Sequence, residues 1–308
     1  MSVDKVAILI PCYNEAKVIG CVVADFRRAC PAADIYVYDN GSTDQTSAHA
    51  VAAGAIVRGE PNQGKGNVVR RMFADVDADV YVLVDGDSTY DAAVAPALID
   101  KLILERLDFV NVARQPASGL AYRQGHHFGN RVLTGLVRKI FGRQFTDMLS
   151  GYKVLSRRFV KSFPAMSSGF EIETEISVHA LELRVPCVEA AAEYRSRTEG
   201  STSKLRTYRD GLRILFLIAR LIKDERPFVF FGLLGIFLVA AAVGLSFPIW
   251  EFYLQTGTVP RFPTAILCVG IALSGILSFL AGLILEMVTR TRLEMKRLFY
   301  LNAPPERS

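Results

Sequence analysis

The sequence predicts an α/β domain over residues 1–204, continued by an amphipathic juxtamembrane helix at 205–227 and a two-span membrane segment at 228–308. Three observations carry this. Short β-branched runs alternate with helix-length segments, and each run ends in Asn, Asp, Gly or Pro. The chain is 51% hydrophobic and only 22% charged, with a mean hydropathy of +0.25, and the apolar excess is concentrated in its last quarter.

The strand-like runs lie at 6–10, 35–38, 55–57, 80–84 and 109–112, and helices are expected to begin near Glu15, Thr43, Gly64 and Ala92. That order is a series of βαβ units, which predicts a parallel sheet with ligands at the carboxyl ends of its strands, here 11–15, 39–44 and 85–90. The first run ends in Pro11 and lacks a signal-peptide layout, so it reads as a strand. Between 205 and 227, Arg206, Arg209, Arg213, Arg220 and Lys223 share one helical face. Leu212, Leu215, Ile218, Leu221 and Ile222 fill much of the rest, the pattern of a helix lying at a membrane surface. Residues 228–250 contain no charge and 264–288 only Glu286, and each stretch reaches the ~20 residues that cross a bilayer core. Basic residues crowd the flanks (Arg209, Arg213, Arg220, Lys223 and Arg226 before; Arg290, Arg292, Lys296, Arg297 and Arg307 after), while Arg261 stands alone between the spans. The positive-inside rule then places both termini and the α/β domain on the cytosolic side of the inner membrane.

The net charge of +5 divides unevenly. Residues 1–100 hold 8 Lys+Arg against 14 Asp+Glu, residues 101–227 hold 22 against 13, and the remainder 6 against 4. An acidic first third beside a basic middle does not make one continuous basic face, so no nucleic-acid partner is expected. It suits a site that holds a cation in one half and phosphates in the other. Cys12, Cys21, Cys30, Cys187 and Cys268 form no CxxC pair and have no histidine at ligand spacing, which excludes a disulfide framework and a zinc site and favours a reduced compartment. There is no internal repeat or low-complexity tract.

The strongest chemical signal is the apolar run 80–84 ending in Asp85-Gly86-Asp87. Two carboxylates at a strand end hold a divalent cation through hard oxygen ligands while diphosphate oxygens take its other positions. A second acidic turn, Asp39 to Asp44, follows the second run. Asn62-Gln63-Gly64-Lys65-Gly66-Asn67 leads into a helix; its glycines admit backbone amides close to a phosphate or base, or simply form a turn and helix cap. It is not a P-loop. His49 and His179 read as surface or cap residues, and Arg138, Lys139 and Arg143 as a solvated helix face or a contact to anionic lipid.

Seven segments now occur in order: Pro11-Cys12-Tyr13-Asn14-Glu15, Asp39-x-Gly-Ser-x-Asp44, Asn62-x-Gly-Lys65-Gly, Asp85-Gly-Asp87-x-Thr-Tyr90, Asp147-x-x-Ser150-Gly151-Tyr152 with Arg157 downstream, Gly169-Phe170-Glu171-Ile172-Glu173-x-Glu175, and Arg197-x-x-Gly200-x-x-Ser203-Lys204-Leu205. Together they resemble the polyprenyl-phosphate glycosyltransferases of glycosyltransferase family 2, the group of the dolichyl-phosphate mannose and glucose synthases, over about residues 5–225. The two-span tail resembles the bacterial members. The resemblance implies a GT-A (Rossmann-like) fold and inverting transfer of a hexose from a nucleotide sugar to a polyprenyl (undecaprenyl) phosphate lipid at the cytosolic leaflet, with Mg2+ or Mn2+ as cofactor. By motif, Pro11, Tyr13, Glu15 and Asp39 would surround the nucleobase and ribose, with Lys65 on the nucleotide-sugar side. Asp85 would contact the nucleotide sugar beside the metal, Asp87 would ligate the metal, and Arg197 and Lys204 would meet the phosphates. Arg114 and Arg123 stand where relatives place arginines against the acceptor phosphate, and His127 where relatives carry a serine. Thr89 replaces a glutamine that some relatives carry, which leaves a third protein metal ligand open. Homo-oligomerisation through the membrane helices is a further implication.

The chemistry agrees with those roles. A departing nucleoside diphosphate needs cationic partners more than an acid. The nucleophile, a phosphate monoester with a second pKa of about 6, is already largely dianionic at pH 7 and requires no strong base. Asp147 therefore has two open readings, sugar positioning or a weak base on one side and a helix or loop cap on the other. Glu171 and Glu173 are equally open between sugar contacts and helix N-terminal charges. The Asp-Gly-Asp-x-Thr-Tyr form resembles relatives that use UDP-hexoses such as UDP-glucose or UDP-GlcNAc, with GDP-mannose as the alternative donor. A processive polysaccharide synthase is disfavoured because Trp250, the only tryptophan, falls in the membrane segment, so the Gln-x-x-Arg-Trp motif is missing. A non-catalytic nucleotide-sugar-binding scaffold is disfavoured by the intact Asp-X-Asp and Arg…Ser-Lys-Leu motifs.

Overall fold

The computed structural model describes residues 5–116, 145–195 and 226–303, together with Gly135 and Lys223. The chain divides into two compact units. One holds a sheet with its helices and the final turns of the last helix from Lys296; the other holds two long apolar helices up to Met295.

In the first unit the strands are β1 (Val6–Cys12), β2 (Asp34–Asp39), β3 (Ile56–Gly59), β4 (Val80–Leu83), β5 (Phe109–Pro116), β6 (Lys153–Ser156) and β7 (Cys187–Tyr194). The helices are α1 (Ile19–Ala29), α2 (Thr46–Ala52), α3 (Lys65–Asp75), α4 (Ala95–Leu104, preceded by a 3-10 turn at Ala92–Val94), α5 (Arg157–Ser162) and α6 (Ile172–Leu183). All five expected strands and all four expected helices form. Among the described residues the strands make one seven-stranded sheet in the order β3-β2-β1-β4-β6-β5-β7.

The sheet is mixed, where a series of βαβ units predicts a parallel one. β1 to β4 pair in parallel, but β6 runs antiparallel to both β4 and β5, with Val80 opposite Ser156 and Phe109 opposite Leu155. Two strands, β6 and β7, escaped the pattern for a physical reason. β6 is four residues with every side chain buried, so it shows no alternation, and it opens on a lysine. β7, rich in Ala and Glu, has weak intrinsic strand preference and is held by eight parallel pairs to β5.

The core explains the register. Ala7, Ile8, Leu9 and Ile10 of β1 are fully enclosed, and α1 presents Ile19, Val22, Val23 and Phe26 at the three- and four-residue spacing of one helical face. Each such large apolar side chain contributes about 1.5–3 kcal/mol on burial, and a one-residue slip of β1 would exchange the residues of its two buried faces and lose their packing partners. His179 on α6 is a core residue rather than a surface or cap residue: it is 1% exposed, with its ring edge-on to Phe159 and Phe163 and Nε2 3.2 Å from Ser162 Oγ. The amphipathic helix expected at 205–227 lies almost wholly outside the described residues.

In the second unit, α7 (Pro227–Thr256) and α8 (Phe262–Asn302) cover and extend the two expected spans. Both are long and apolar enough to cross a membrane, and only 17% of the most apolar 18-residue window of each is buried. Most of their apolar side chains are therefore not covered within the chain. Where the helices touch, Gly235 and Gly275 allow the backbones together: a Cβ on Gly235 would stand 2.7 Å from the Gly275 carbonyl oxygen. Ser278 Oγ donates to the Phe231 carbonyl at 3.0 Å.

Beyond Met295, α8 packs within the α/β unit. Tyr300 Oη donates to Asp108 Oδ2 at 2.6 Å beneath the Arg158 guanidinium, Lys296 pairs with Glu182 at 2.8 Å, and Arg297 donates to the Leu183 carbonyl at the C-terminus of α6. Two of the basic residues flanking the second span are thus bound to the sheet domain.

Candidate active site

The polar side chains gather at the carboxyl ends of β1, β2 and β4, where an α/β sheet presents its ligands. The loops after β1 and β2 are laced together. Asn14, held in the left-handed region at φ +56°, accepts from the Thr43 amide at 2.8 Å, and its own amide donates to Ser42 Oγ at 2.9 Å. The Glu15 amide donates to Thr46 Oγ1 and the Ala16 amide to Asp44. Asp39 closes the β2 end by accepting from the Ser42 amide at 2.8 Å and from Ser47 Oγ. Pro11, Glu15 and Asp39 are partly exposed at these two strand ends, and Tyr13 is 37% exposed.

Asn40 was not singled out in the sequence and organises the next loop. It is buried, donates to the Glu60 and Asn62 carbonyls, and accepts from the Gly64 amide at 2.7 Å. The glycine-rich turn that follows is a chain-packing and cap element. The Gly66 and Asn67 amides both donate to the Ser168 carbonyl, and a Cβ on Gly66 would collide with the Ser167 carbonyl oxygen. The spacing alone did not separate these uses, since both need glycine where backbone approaches backbone.

Lys65, the first residue of α3, turns inward between two carboxylates, Asp85 and Glu173. Burial alone would lower its pKa, but those carboxylates outweigh it and raise it well above the ordinary lysine value. Glu173, in the first turn of α6, is raised by burial against the pull of Lys65. Glu173 sits in the first helical turn, as the helix N-terminal reading expects, and its carboxylate is paired with the buried Lys65; the sugar-contact reading stays open. Glu171 stays exposed.

At the β4 end, Asp87 Oδ1 accepts from the Thr89 hydroxyl at 2.5 Å and the Thr89 amide at 3.2 Å, while Ser88 between them takes φ +61°. A non-glycine residue held there stores local strain where a carboxylate must be aimed. Thr89 is fully buried and orients Asp87. Among the described residues no cluster of three or more His, Cys, Asp or Glu side chains could hold a metal. Of the two carboxylates at this strand end, Asp85 is paired with Lys65 and Asp87 is held by Thr89, so Asp87 is the carboxylate that fits a hard cation completed by diphosphate oxygens and water, with Asp85 beside it.

Across the sheet, Arg114 on β5 is locked to Asp147. Its Nε and Nη2 donate to Oδ2 and Oδ1 at 2.6 and 2.8 Å, its amide reaches Oδ2 at 3.3 Å, and the guanidinium stands 5.5 Å over the Tyr194 ring. Burial would raise the Asp147 carboxyl, but the Arg114 hydrogen bonds and charge outweigh it and hold the pKa below the ordinary value. Arg157, beside the motif in sequence, pairs with Asp77 at the far end of β4. Arg123, His127, Arg197 and Lys204 lie outside the described residues.

A mixed sheet of this order, with an Asp-X-Asp turn at its β4 end, is the framework of a GT-A glycosyltransferase. A family model for glycosyl transferase family 2 matches residues 7–163. The glycosyltransferase AglJ of Haloferax volcanii is 32% identical over 302 residues, 96% of this chain and 97% of its own. The chain belongs to glycosyl transferase family 2. The dolichyl-phosphate hexose transferase of the same organism is 26% identical, covering 72% of this chain and 96% of that one. Glucosyl-3-phosphoglycerate synthase from Mycobacterium tuberculosis, solved with Mn2+, uridine diphosphate and glucosyl-3-phosphoglycerate, aligns with a TM-score of 0.59 at 22% identity over 71% of this chain and 79% of its own. At that identity the likeness is one of fold.

Proposed function

We propose that this glycosyltransferase moves a hexose, with inversion, from a UDP-sugar to a polyprenyl monophosphate at the cytosolic face of the inner membrane. The observation that carries the reading is one sheet edge with two opposed provisions: the Asp85 and Asp87 carboxylates on one side and the Asp147-bound guanidinium of Arg114 on the other. The same chain contains two bilayer-length helices. The dolichyl-phosphate hexose transferase resemblance supports a lipid-phosphate acceptor.

Asp87, with Asp85 beside it, would hold Mg2+ or Mn2+, which when bound supplies positive charge to the departing diphosphate. Pro11, Tyr13, Glu15 and Asp39 enclose the nucleoside, and Arg197 and Lys204 meet its phosphates. Arg114, joined by Arg123 and His127, draws the acceptor phosphate toward the sugar carbon. That phosphate is largely dianionic at pH 7. Asp147, lowered in pKa and bound at both oxygens, is a poor proton acceptor, so its work is to aim Arg114. The C-terminal turns of α8, bound to the sheet domain through Lys296, Arg297 and Tyr300, support a C-terminus on the same membrane side as the site.

A thermal-shift screen of UDP- and GDP-sugars with Mn2+, paired with transfer to undecaprenyl phosphate with and without EDTA, tests the reading. A UDP-hexose that stabilises the protein and yields an EDTA-sensitive glycolipid is expected; absence of lipid product with every common donor overturns it.

A further inference from the structure

Six charged side chains alternate in sign across the site: Asp85, Lys65, Glu173, Lys153, Asp147 and Arg114. The first three are bonded to one another, and so are the last two. Lys153, on β6, belongs to neither group by direct ion pairing and was passed over in the sequence. It is fully buried, and its ammonium donates to Asn111 Oδ1 at 2.8 Å and to Ser177 Oγ at 3.1 Å, 5.5 Å from the Phe109 ring centroid. Asn111, also fully buried, passes that contact on: its Nδ2 donates to the Asp147 carbonyl at 2.8 Å and to Glu189, which in turn accepts from the Thr146 and Asp147 amides. Ser177 donates to the carbonyl of Glu173 one turn earlier on α6.

A buried ammonium with only neutral hydrogen-bond partners is costly, and an apolar side chain of equal volume would pack there at less cost. Both of its bonds lead to the site, one to each half. We propose that Lys153 is a positioning residue that ties the Asp147–Arg114 pair to the Glu173–Lys65–Asp85 cluster through Asn111 and Ser177. The tie keeps the acceptor-phosphate arginine in register with the donor carboxylates, and this role rests on the reading of those two halves given above. The electrostatics agree. Burial pushes the ammonium down to about 8, Glu173 and Asp147 oppose that fall, and Lys65 and Arg114 add to it.

The test compares full-length wild type, Lys153→Met, Lys153→Arg and Asn111→Leu by backbone hydrogen exchange and by kinetics with undecaprenyl phosphate. In Lys153→Met, peptides covering 145–150 and 172–178 exchange at least about tenfold faster while β1 is unchanged. The acceptor KM rises about tenfold or more with the donor KM within about twofold, and Lys153→Arg recovers part of both effects. Asn111→Leu loosens 145–150 alone, which keeps the tie testable if Lys153→Met does not fold. Unchanged exchange in 145–150 in both variants, or equal changes in donor and acceptor KM, overturns the tie. If wild type transfers no sugar to undecaprenyl phosphate, the functional reading falls and the exchange data still decide the role of Lys153.

Discussion

Asp87, the carboxylate proposed above to ligate the metal, is held by one neighbouring hydroxyl. The Thr89 side chain, buried and bonded to Oδ1, holds the Asp87 carboxylate at the end of the β4 run. Asp87→Ala removes that carboxylate from a strand end, not from the core, so turnover should fall about a hundredfold or more while the melting temperature stays near that of wild type. Wild-type rates from the variant would exclude Asp87 as a metal ligand. His179 carries a different residue-scale consequence. Burial, aided by Lys296, pushes it from its ordinary 6.5 to about 3, against the pull of Glu182. Between those values the unfolded chain binds a proton that the folded chain does not. Its stabilising effect is therefore complete above pH 6.5 and is lost progressively as pH falls toward 3. Urea titrations at stepped pH should show the decline, and His179→Leu should flatten it; an equal decline in both proteins would assign the acid sensitivity elsewhere. The Asp-X-Asp pair was legible because it closes an apolar run. Lys153 and Asn111 were not, because their bond joins residues 42 apart and neither position stands out from local pattern.

The elements that position the site depend on close backbone contact as much as on side chains. α3 starts against the loop at Ser167–Ser168, and Gly66 has no room for a methyl group there. Gly66→Ala should shift that loop, displace Lys65 from between its two carboxylates and cost about 1–3 kcal/mol, measured by chemical denaturation. Stability equal to wild type would mean the loop gives way freely. Elements were legible where alternation or helical spacing was strong, as in β1 and α1. They were missed where tertiary contact supplies the order: β6 has no exposed face to alternate with, and β7 is held by its partner strand despite an Ala- and Glu-rich sequence. The glycine-rich turn leaves two readings open in the sequence, a loop that admits a phosphate or base and a turn with a helix cap; in the structure its Gly66 and Asn67 amides donate to the Ser168 carbonyl.

At the scale of the whole molecule, the division between an α/β unit and two long apolar helices was visible in hydropathy, because bilayer-length runs without charge are rare in soluble chains. The contacts of Lys296, Arg297 and Tyr300 with the sheet domain were not, since they join the C-terminal helix to residues more than a hundred positions earlier. If the helices span the membrane with both ends cytosolic, Thr258→Cys, between α7 and α8, should react with an impermeant maleimide in intact cells, whereas exposed Cys21 reacts only after permeabilisation. The reverse pattern would invert the topology. The central claim concerns which bond is made, and mass spectrometry of the lipid product formed from a UDP-hexose and undecaprenyl phosphate tests it directly. One hexose joined to the lipid through a single phosphate, with UDP released, is the predicted result; a product carrying two phosphates with UMP released would contradict it.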